Sequence, residues 1–526
     1  MTLTGFLLFM LTVQVIHFLG TWKLYIKAGR KPWEAAIPIY NSIVLMKIIN
    51  RPAWWTILLF IPVVNQIMFP VIWVETLRSF GKNKGIDTFL GIFTLGFYIA
   101  YVNYTQDVTY IKDRDLKTKS TSGDWVSAIL FAVVAATIVH TYVMQPFTIP
   151  TSSLEKTLLV GDFLFVSKFH YGARTPMTPI ALPMVHDTIP FFKTKSYNSN
   201  LSIPFFRVPG FQKIKRNDIV VFNWPIDTVR FFRDNSGIHM YKPIDKKSNY
   251  VKRCVGLPGD SLEVRGGYVY INGKQNELPD RAKLQFSYWV KYKPNTRLTE
   301  NNLYSLYGIT DGTSEYNQIT EEFKIQAITD EMAARIKNNP DVISIRKEAK
   351  PKGERDSRVF PHDPNFEWNA DFFGPMYIPE ADKEVSISIE NIALYKRIIE
   401  VYEGSELGID NKITLQGLNV LLNNNPITKY TFKQDYYWMM GDNRHNSEDA
   451  RMWGFVPFNH VVGKPVFVWM SWDTNAKGIG NKIRWERMFT TVGGNGESTS
   501  YFKYFLIALV GWFVFSFFRK KRKKKA

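Results

Sequence analysis

The stretch from Trp125 to Val143 contains no Asp, Glu, Lys or Arg, and about 20 apolar residues suffice to carry a helix across the hydrocarbon core of a bilayer. Three more apolar stretches precede it, Leu3 to Trp22, Trp54 to Val74 and Phe89 to Val102. The chain therefore starts as an integral membrane protein, with a multi-helix membrane region and cytoplasmic loop over 1–124 and a transmembrane helix over 125–144. The first stretch lacks a charged segment before it and a convincing small-residue cleavage site, which predicts a retained helix and not a removed leader. A fifth stretch, Tyr504 to Phe518 within a helix over 501–518, runs into the basic tail 519–526, with Arg519, Lys520, Lys521, Arg522, Lys523, Lys524 and Lys525. Lys and Arg favour the cytoplasmic side, so this tail is expected inside. Lys112, Arg114, Lys117 and Lys119 put the loop before the fourth helix inside as well, leaving 145–497 outside. Lys23, Lys27, Arg30 and Lys31 also fall inside. Arg78, Lys82 and Lys84 fall outside, against the bias, if every stretch crosses. An interfacial or re-entrant segment over Pro52 to Val102 is the alternative.

The net charge of +19 fits a membrane surface better than nucleic acid, because the basic residues crowd beside apolar runs and no nucleic-acid motif is present. A single cysteine, Cys254, excludes an intramolecular disulfide and a thiolate metal site. No histidine pair has zinc spacing, so neither metal nor cofactor is expected.

Between Gln145 and Asp473 the pattern turns to short β-type runs: Phe163 to Val166, Ile219 to Trp224, Tyr250 to Val255, Tyr436 to Met440 and Val466 to Trp472. Antiparallel sheet is the natural reading. Gly266-Gly267 separates Ser261–Val264 from Tyr268–Ile271 as a two-residue hairpin turn would, and Asn272-Gly273 marks the next reversal. From 275 to 433 the chain is polar and mixed, with helices expected near Asp330 to Asn338 and Ile389 to Glu403, and reads as an inserted domain between 145–274 and 434–497.

Three segments can carry chemistry. Ile149-Pro150-Thr151-Ser152-Ser153-Leu154-Glu155-Lys156-Thr157-Leu158-Leu159-Val160-Gly161-Asp162, just beyond the fourth apolar stretch, is a hydroxyl-rich loop that alone could merely bond its own backbone. Tyr250-Val251-Lys252-Arg253-Cys254-Val255-Gly256-Leu257-Pro258-Gly259-Asp260 places a lysine in an apolar strand, as an edge-strand guard or as a base whose pKa burial lowers. Gly441-Asp442-Asn443-Arg444-His445-Asn446-Ser447-Glu448-Asp449-Ala450-Arg451 packs carboxylates, guanidinium and amides into one turn, which could support a site, bind a cation or be a solvated loop.

Together and in this order the three segments resemble the bacterial type I signal peptidase family, with Asp218-Ile219-Val220-Val221-Phe222 matching the intervening strand. The resemblance implies a membrane-anchored, mainly β fold: N-terminal transmembrane helices, an antiparallel β-sheet catalytic domain with a large α/β insertion, and a C-terminal transmembrane helix. It implies a serine endopeptidase in the bacterial inner membrane, its catalytic domain on the periplasmic or outer side. Ser153 would be the nucleophile, Lys252 the general base, and Thr151 with the Ser153 N–H the oxyanion hole. Ser447 would orient Lys252, while Asp442, Asn443, Arg444, Asp449 and Arg451 hold the site in shape. Phe147, Ile149, Leu154, Leu158 and Val251 match shallow substrate pockets, implying an extended pre-protein segment with small residues in an Ala-x-Ala-like pattern. The implied partners are signal peptides, the lipid bilayer and the protein-export machinery, without nucleic acid.

Leu154 departs from the family's usual methionine and Lys156 from a frequent proline. Cys254 and His445 are the rival reactive groups, Cys254 because residues two apart on a strand share a face and His445 because it lies in the third segment. His17 and His140 fall in membrane helices. The rival functions are an inactive membrane scaffold or sensor of the same fold, and a transporter built on the N-terminal helices.

Overall fold

The computed structural model describes residues 3–116, 121–192, 194–229, 236–294, 300–476 and 478–523. Of the basic residues counted toward topology, Lys117, Lys119, Lys524 and Lys525 lie outside the described residues. The chain divides into two compact units, one of residues 1–143, 174–208 and 228–246, the other of 144–173, 209–227 and 247–526.

In the first unit, helix α1 (Leu3–Lys27) and helix α7 (Thr121–Ile138), the latter prolonged by a π-helical turn to Val143, are long and apolar enough to cross a membrane over Leu7–Lys27 and Thr121–Val143. Among the described residues, the two apolar stretches between them do not form continuous spanning helices, which corrects the reading in which all four cross and agrees with the alternative of an interfacial or re-entrant segment over Pro52 to Val102. They break into α2 (Tyr40–Ile48), α3 (Trp55–Leu58), α4 (Val64–Ser79), α5 (Gly85–Phe93) and α6 (Phe97–Thr105). Pro52 and Pro62 remove backbone donors, Asn50 and Val63 turn the chain at φ of 57° and 70°, and Leu95 and Gly96 do so at 51° and 87°.

The reversal at Pro62-Val63 has a consequence for charge. The Pro62 carbonyl lies 3.5 Å from the Tyr142 hydroxyl at the far end of α7. Arg51 before the reversal and Arg78 after it both reach Glu75, at 3.0 and 3.7 Å, and Arg114 joins them. The three arginines therefore lie at one end of the bundle. Leu24, Val44, Ile48, Val64, Met68 and Ile72 bury the interior, with Val134 and Ile138 of α7 packed on it.

The second unit is built on an antiparallel eight-stranded sheet in the order Met144–Thr148, Asp162–Ser167, Val461–Ser471, Ile219–Asn223, Asn249–Gly256, Tyr436–Met440, Val456–Pro457, with Thr490–Thr491 alongside Val461–Ser471. The central strands are Val-, Ile-, Phe- and Tyr-rich because they are covered on both faces. A second sheet holds the expected hairpin, Ser261–Arg265 with Tyr268–Ile271, and Gly266 and Gly267 take the positive φ, 58° and 82°, that such a turn demands.

Within 275–433, a four-stranded sheet (Val342–Lys347, Phe286–Tyr292, Glu322–Ile328, Thr313–Asn317) stands with helices Glu300–Tyr307 and Asp330–Lys337. Thr329 caps the latter helix by accepting from Met332 N–H. Helix Ile392–Arg397 runs on into Ile398–Tyr402. Phe372–Tyr377 pairs back onto Ser261–Arg265, which ties this segment to the strands before it. The final helix, Phe502–Lys523, is longer than its apolar run because basic residues extend it, and Phe502–Arg519 is of spanning length.

Candidate active site

The serine loop is pinched at its base. Ile149 N–H donates to Asp162 O and Gly161 N–H to Ile149 O, each at 2.9 Å, so residues 150–160 bulge out between two paired strands. Gly161, at φ 89°, can only be glycine, because a Cβ would stand 1.9 Å from the Trp472 carbonyl. Lys156 takes φ 67°, a conformation closed to proline, so this departure from the family pattern reshapes the backbone.

Lys252 enters from Asn249–Gly256, a strand paired on both edges, with Val220 opposite Lys252. Its Nζ lies 2.5 Å from Ser153 Oγ, with Lys252 3% and Ser153 7% exposed. Burial pushes the Lys252 ammonium down to about 8, even though Asp449, Glu448 and Asp442 act to hold its proton on.

Arg253, the next residue, points its guanidinium to Asp442 instead. Arg253 Nε and Nη2 donate to Asp442 Oδ1 and Oδ2 at 2.7 and 2.6 Å, and Thr157 Oγ1 donates to the same Oδ2 at 2.7 Å. One carboxylate thus joins all three segments. Arg253 beside it holds that carboxyl below the usual range against the effect of burial. Asp449 accepts from Gly441 N–H and from Arg451 Nε and Nη2, and Arg451 in turn donates to Arg444 O. Arg444 Nη1 reaches Gly267 O. Asn443 N–H donates to Ser153 O at 3.1 Å and its Nδ2 to Ser152 O at 3.2 Å.

Gly441 is where the third segment touches the first, since a Cβ there would meet Ser447 Oγ at 2.2 Å and Ser153 O at 2.6 Å. Ser447 is accordingly at the site, but its hydroxyl is buried without a hydrogen-bond partner among the described residues. The expected bond from Ser447 to Lys252 is not made among the described residues, where Lys252 Nζ meets Ser153 Oγ. Thr151 lies partly buried two residues before Ser153. Ile149, Leu154 and Leu158 are buried in one apolar cluster with Leu164, Val166 and Val221, and Phe147 and Val251 pack against it.

Geometry disposes of both rival reactive groups. His445 Nδ1 accepts from Ser287 N–H at 3.0 Å and Nε2 meets Asp371 Oδ1 at 2.8 Å, so both ring nitrogens are engaged away from Ser153. Cys254 is fully buried among Tyr171, Val220 and Phe222, and burial pushes its thiol up, the opposite of activation.

Residues 122–325 and 383–472, more than half of the chain, match the family model described as signal peptidase, peptidase S26. The chain belongs to that family. Residues 33–113 match a family of unknown function (DUF5684). Among curated relatives, signal peptidase I of Buchnera aphidicola subsp. Schizaphis graminum is 25% identical over 67% of this chain and 76% of its own. Signal peptidase I of Helicobacter pylori strain 26695 is 26% identical over 70% and 91%, and that of Rickettsia typhi 30% identical over 31% and 47%. As a member of the signal peptidase family the chain is a serine endopeptidase acting on signal peptides, carried by a mostly antiparallel β fold with apolar helices at its N-terminus, in its middle and at its C-terminus.

The signal peptidase site also draws on residues that sequence reasoning missed. Ser152, Thr157 and Asn446 sit inside the quoted segments but carried no signal of their own. Asp311 and Thr310 come from the polar middle of the chain, where nothing in the sequence marks them. Asp311 Oδ2 accepts from both Asn443 and Asn446 at 3.1 Å, and Thr310 Oγ1 donates to buried Glu155 at 3.1 Å.

Proposed function

We propose that the chain cleaves signal peptides from exported pre-proteins by a Ser153–Lys252 dyad. The observation that carries this reading is the 2.5 Å approach of Lys252 Nζ to Ser153 Oγ in buried surroundings. Neutral Lys252 would take the hydroxyl proton as Oγ attacks the scissile carbonyl, then hand it to the leaving amine; a water activated by the same lysine would release the acyl group. The Ser153 N–H and the Thr151 hydroxyl would receive the oxyanion. Ser447, Asp442, Asn443, Arg444, Asp449 and Arg451 would act as support, and the cluster of Phe147, Ile149, Leu154, Leu158 and Val251 would accept small side chains of an Ala-x-Ala-like segment added as a strand. The complete charge and hydroxyl set argues against an inactive scaffold.

The arginines at one end of the N-terminal unit support a cytoplasmic placement of that end. Because the chain returns there after Pro62, Arg78 no longer conflicts with the bias of basic residues toward the cytoplasm. α1, α7 and the final helix would then each cross once, leaving the catalytic unit on the outer face of the inner membrane and the basic tail inside. Residues 275–433 would be an insertion into the catalytic fold, and the export machinery a partner in delivering substrate. Tethering would raise the effective concentration of a substrate anchored by its own apolar segment.

The test is cleavage of a signal-peptide-bearing precursor in detergent by wild type, Ser153→Ala, Lys252→Ala and Cys254→Ala over a pH series. Loss of nearly all cleavage in the first two variants, with Cys254→Ala active, is the expected result. Residual wild-type-like cutting by Lys252→Ala would end the dyad reading.

A further inference from the structure

The carboxylate of Asp311 reaches the serine loop from outside the three segments. Its neighbour Ile309 is buried in the core of the four-stranded sheet, which anchors the approach. Asn443 Nδ2 donates to Asp311 Oδ2 at 3.1 Å and to Ser152 O at 3.2 Å; Asn446 Nδ2 donates to the same Oδ2 and to Ser152 Oγ, each at 3.1 Å. Asp311 thus fixes two amides that both hold Ser152.

The consequence follows from the planarity of the peptide bond. The Ser152 carbonyl and the Ser153 N–H belong to one rigid unit and point in opposite directions. Whatever aims the carbonyl also aims the N–H, which is one of the two oxyanion donors assigned above. Glu155 N–H holds the carbonyl at 2.9 Å from within the loop, and the Asn443 amide holds it from outside. Asn443 Oδ1 is buried and has no partner among the described residues, so the orientation of this amide is set by what its Nδ2 donates to. Without the Asp311 acceptor, a flipped amide would present oxygen to the Ser152 oxygen.

We propose that Asp311 is a positioning residue for peptide hydrolysis, locking Asn443 and Asn446 against Ser152 so that the Ser153 N–H stays aimed at the oxyanion. The proposal rests on Ser153 being the nucleophile. It gives the middle segment a task in catalysis beyond packing.

The experiment measures precursor cleavage at saturating and limiting substrate by Asp311→Ala, Asp311→Asn, Asn446→Ala and the Asp311→Ala/Asn446→Ala pair, with Ser153→Ala as benchmark. Displaced catalytic groups can lower rates about a hundredfold, so Asp311→Ala is expected to lose about tenfold to a hundredfold in kcat, with KM within about twofold. Its pH–rate curve should keep the wild-type midpoint, because Lys252 is untouched. Asparagine retains an acceptor oxygen and should recover part of the loss. The double variant should be no worse than the poorer single one, since both act through Ser152. Wild-type kcat in Asp311→Ala, a displaced pH midpoint, or multiplicative losses in the pair would overturn the proposal. Undiminished cutting by Ser153→Ala would instead overturn the nucleophile assignment beneath it.

Discussion

Replacing Lys252 by methionine should abolish cleavage and make the protein more stable at neutral pH. The folded state holds the lysine at about 8 against 10.5 for a free lysine side chain, so folding weakens its grip on that proton. Below pH 8 both folded and unfolded chains carry the charge, and the fold bears the whole cost. Between 8 and 10.5 the folded chain has released the proton while the unfolded chain still holds it, so stability rises with pH. A separation of about 2.5 in pH, at about 1.4 kcal/mol each, sets that cost at about 3 kcal/mol. Methionine keeps much of the stem and removes the charge. It forfeits the contact with Ser153 Oγ, a hydrogen bond of about 1 kcal/mol. The expected gain is therefore about 2 kcal/mol at pH 7. By pH 10 the cost carried by the wild type falls below about 1 kcal/mol, and the advantage should vanish. Thermal unfolding of both proteins in detergent at pH 7 and pH 10 reads the difference directly, because other titrating groups are common to both. A Lys252→Met protein less stable than wild type at pH 7, or a gap that does not change with pH, would refute the burial account of this lysine.

Cleavage by the wild type should rise with pH through a midpoint near 8, about fivefold between pH 7 and 8 as the neutral fraction grows. Glu448→Gln removes a negative charge that helps Lys252 keep its proton, so its midpoint should lie lower; an unmoved or raised midpoint counts against this electrostatic assignment. Asp442→Asn strands the buried Arg253 guanidinium and should cost about 3 to 5 kcal/mol in denaturant unfolding; a loss under 1 kcal/mol would mean that the pair does not tie the three segments. Gly441→Ala drives a methyl group to 2.6 Å from Ser153 O and should lower kcat by about a hundredfold or more; near-normal turnover would show that the loop can give way.

Much of the catalytic sheet was legible because its strands are buried on both faces and their apolar runs stand out, as Tyr436–Met440 and Ile219–Asn223 do. The Gly266-Gly267 hairpin was legible from its turn chemistry. The membrane region stood open between four crossings and a re-entrant segment because hydropathy averages over a window, and only the misplaced charges of Arg78, Lys82 and Lys84 spoke for the second. Trp54 to Val74 stays apolar through Pro62-Val63, and only backbone geometry shows that the chain reverses there. Lys252 was open to two readings in isolation, and the resemblance, not the local pattern, selected between them. Asp311 was illegible for a different reason: its partners stand 132 and 135 residues away, and an Asp before a Gly in a polar stretch reads as an ordinary turn. Ser447 was assigned a bond to Lys252 from the resemblance alone, and its hydroxyl instead lies buried beside Gly441 without a partner among the described residues.

The adjacent cations Lys252 and Arg253 show how one strand could build the proposed base beside a purely structural cation. Successive side chains on a strand leave on opposite faces. Arg253 meets a carboxylate in a two-point fork and holds Asp442 against Thr157. Among the described residues Lys252 meets a hydroxyl and no carboxylate at bonding distance. Of the carboxylates that act on it, Asp449 is committed to Arg451 and Asp442 to Arg253, whereas Glu448 accepts from the Tyr250 hydroxyl at 3.4 Å. The arginines therefore do more than brace the loop: by occupying Asp449 and Asp442 they keep two of the three carboxylates that act on Lys252 from pairing with it. On this account, freeing Asp449 by replacing Arg451 with an uncharged residue should raise the midpoint of the pH–rate curve toward that of an ordinary lysine, in addition to weakening the fold.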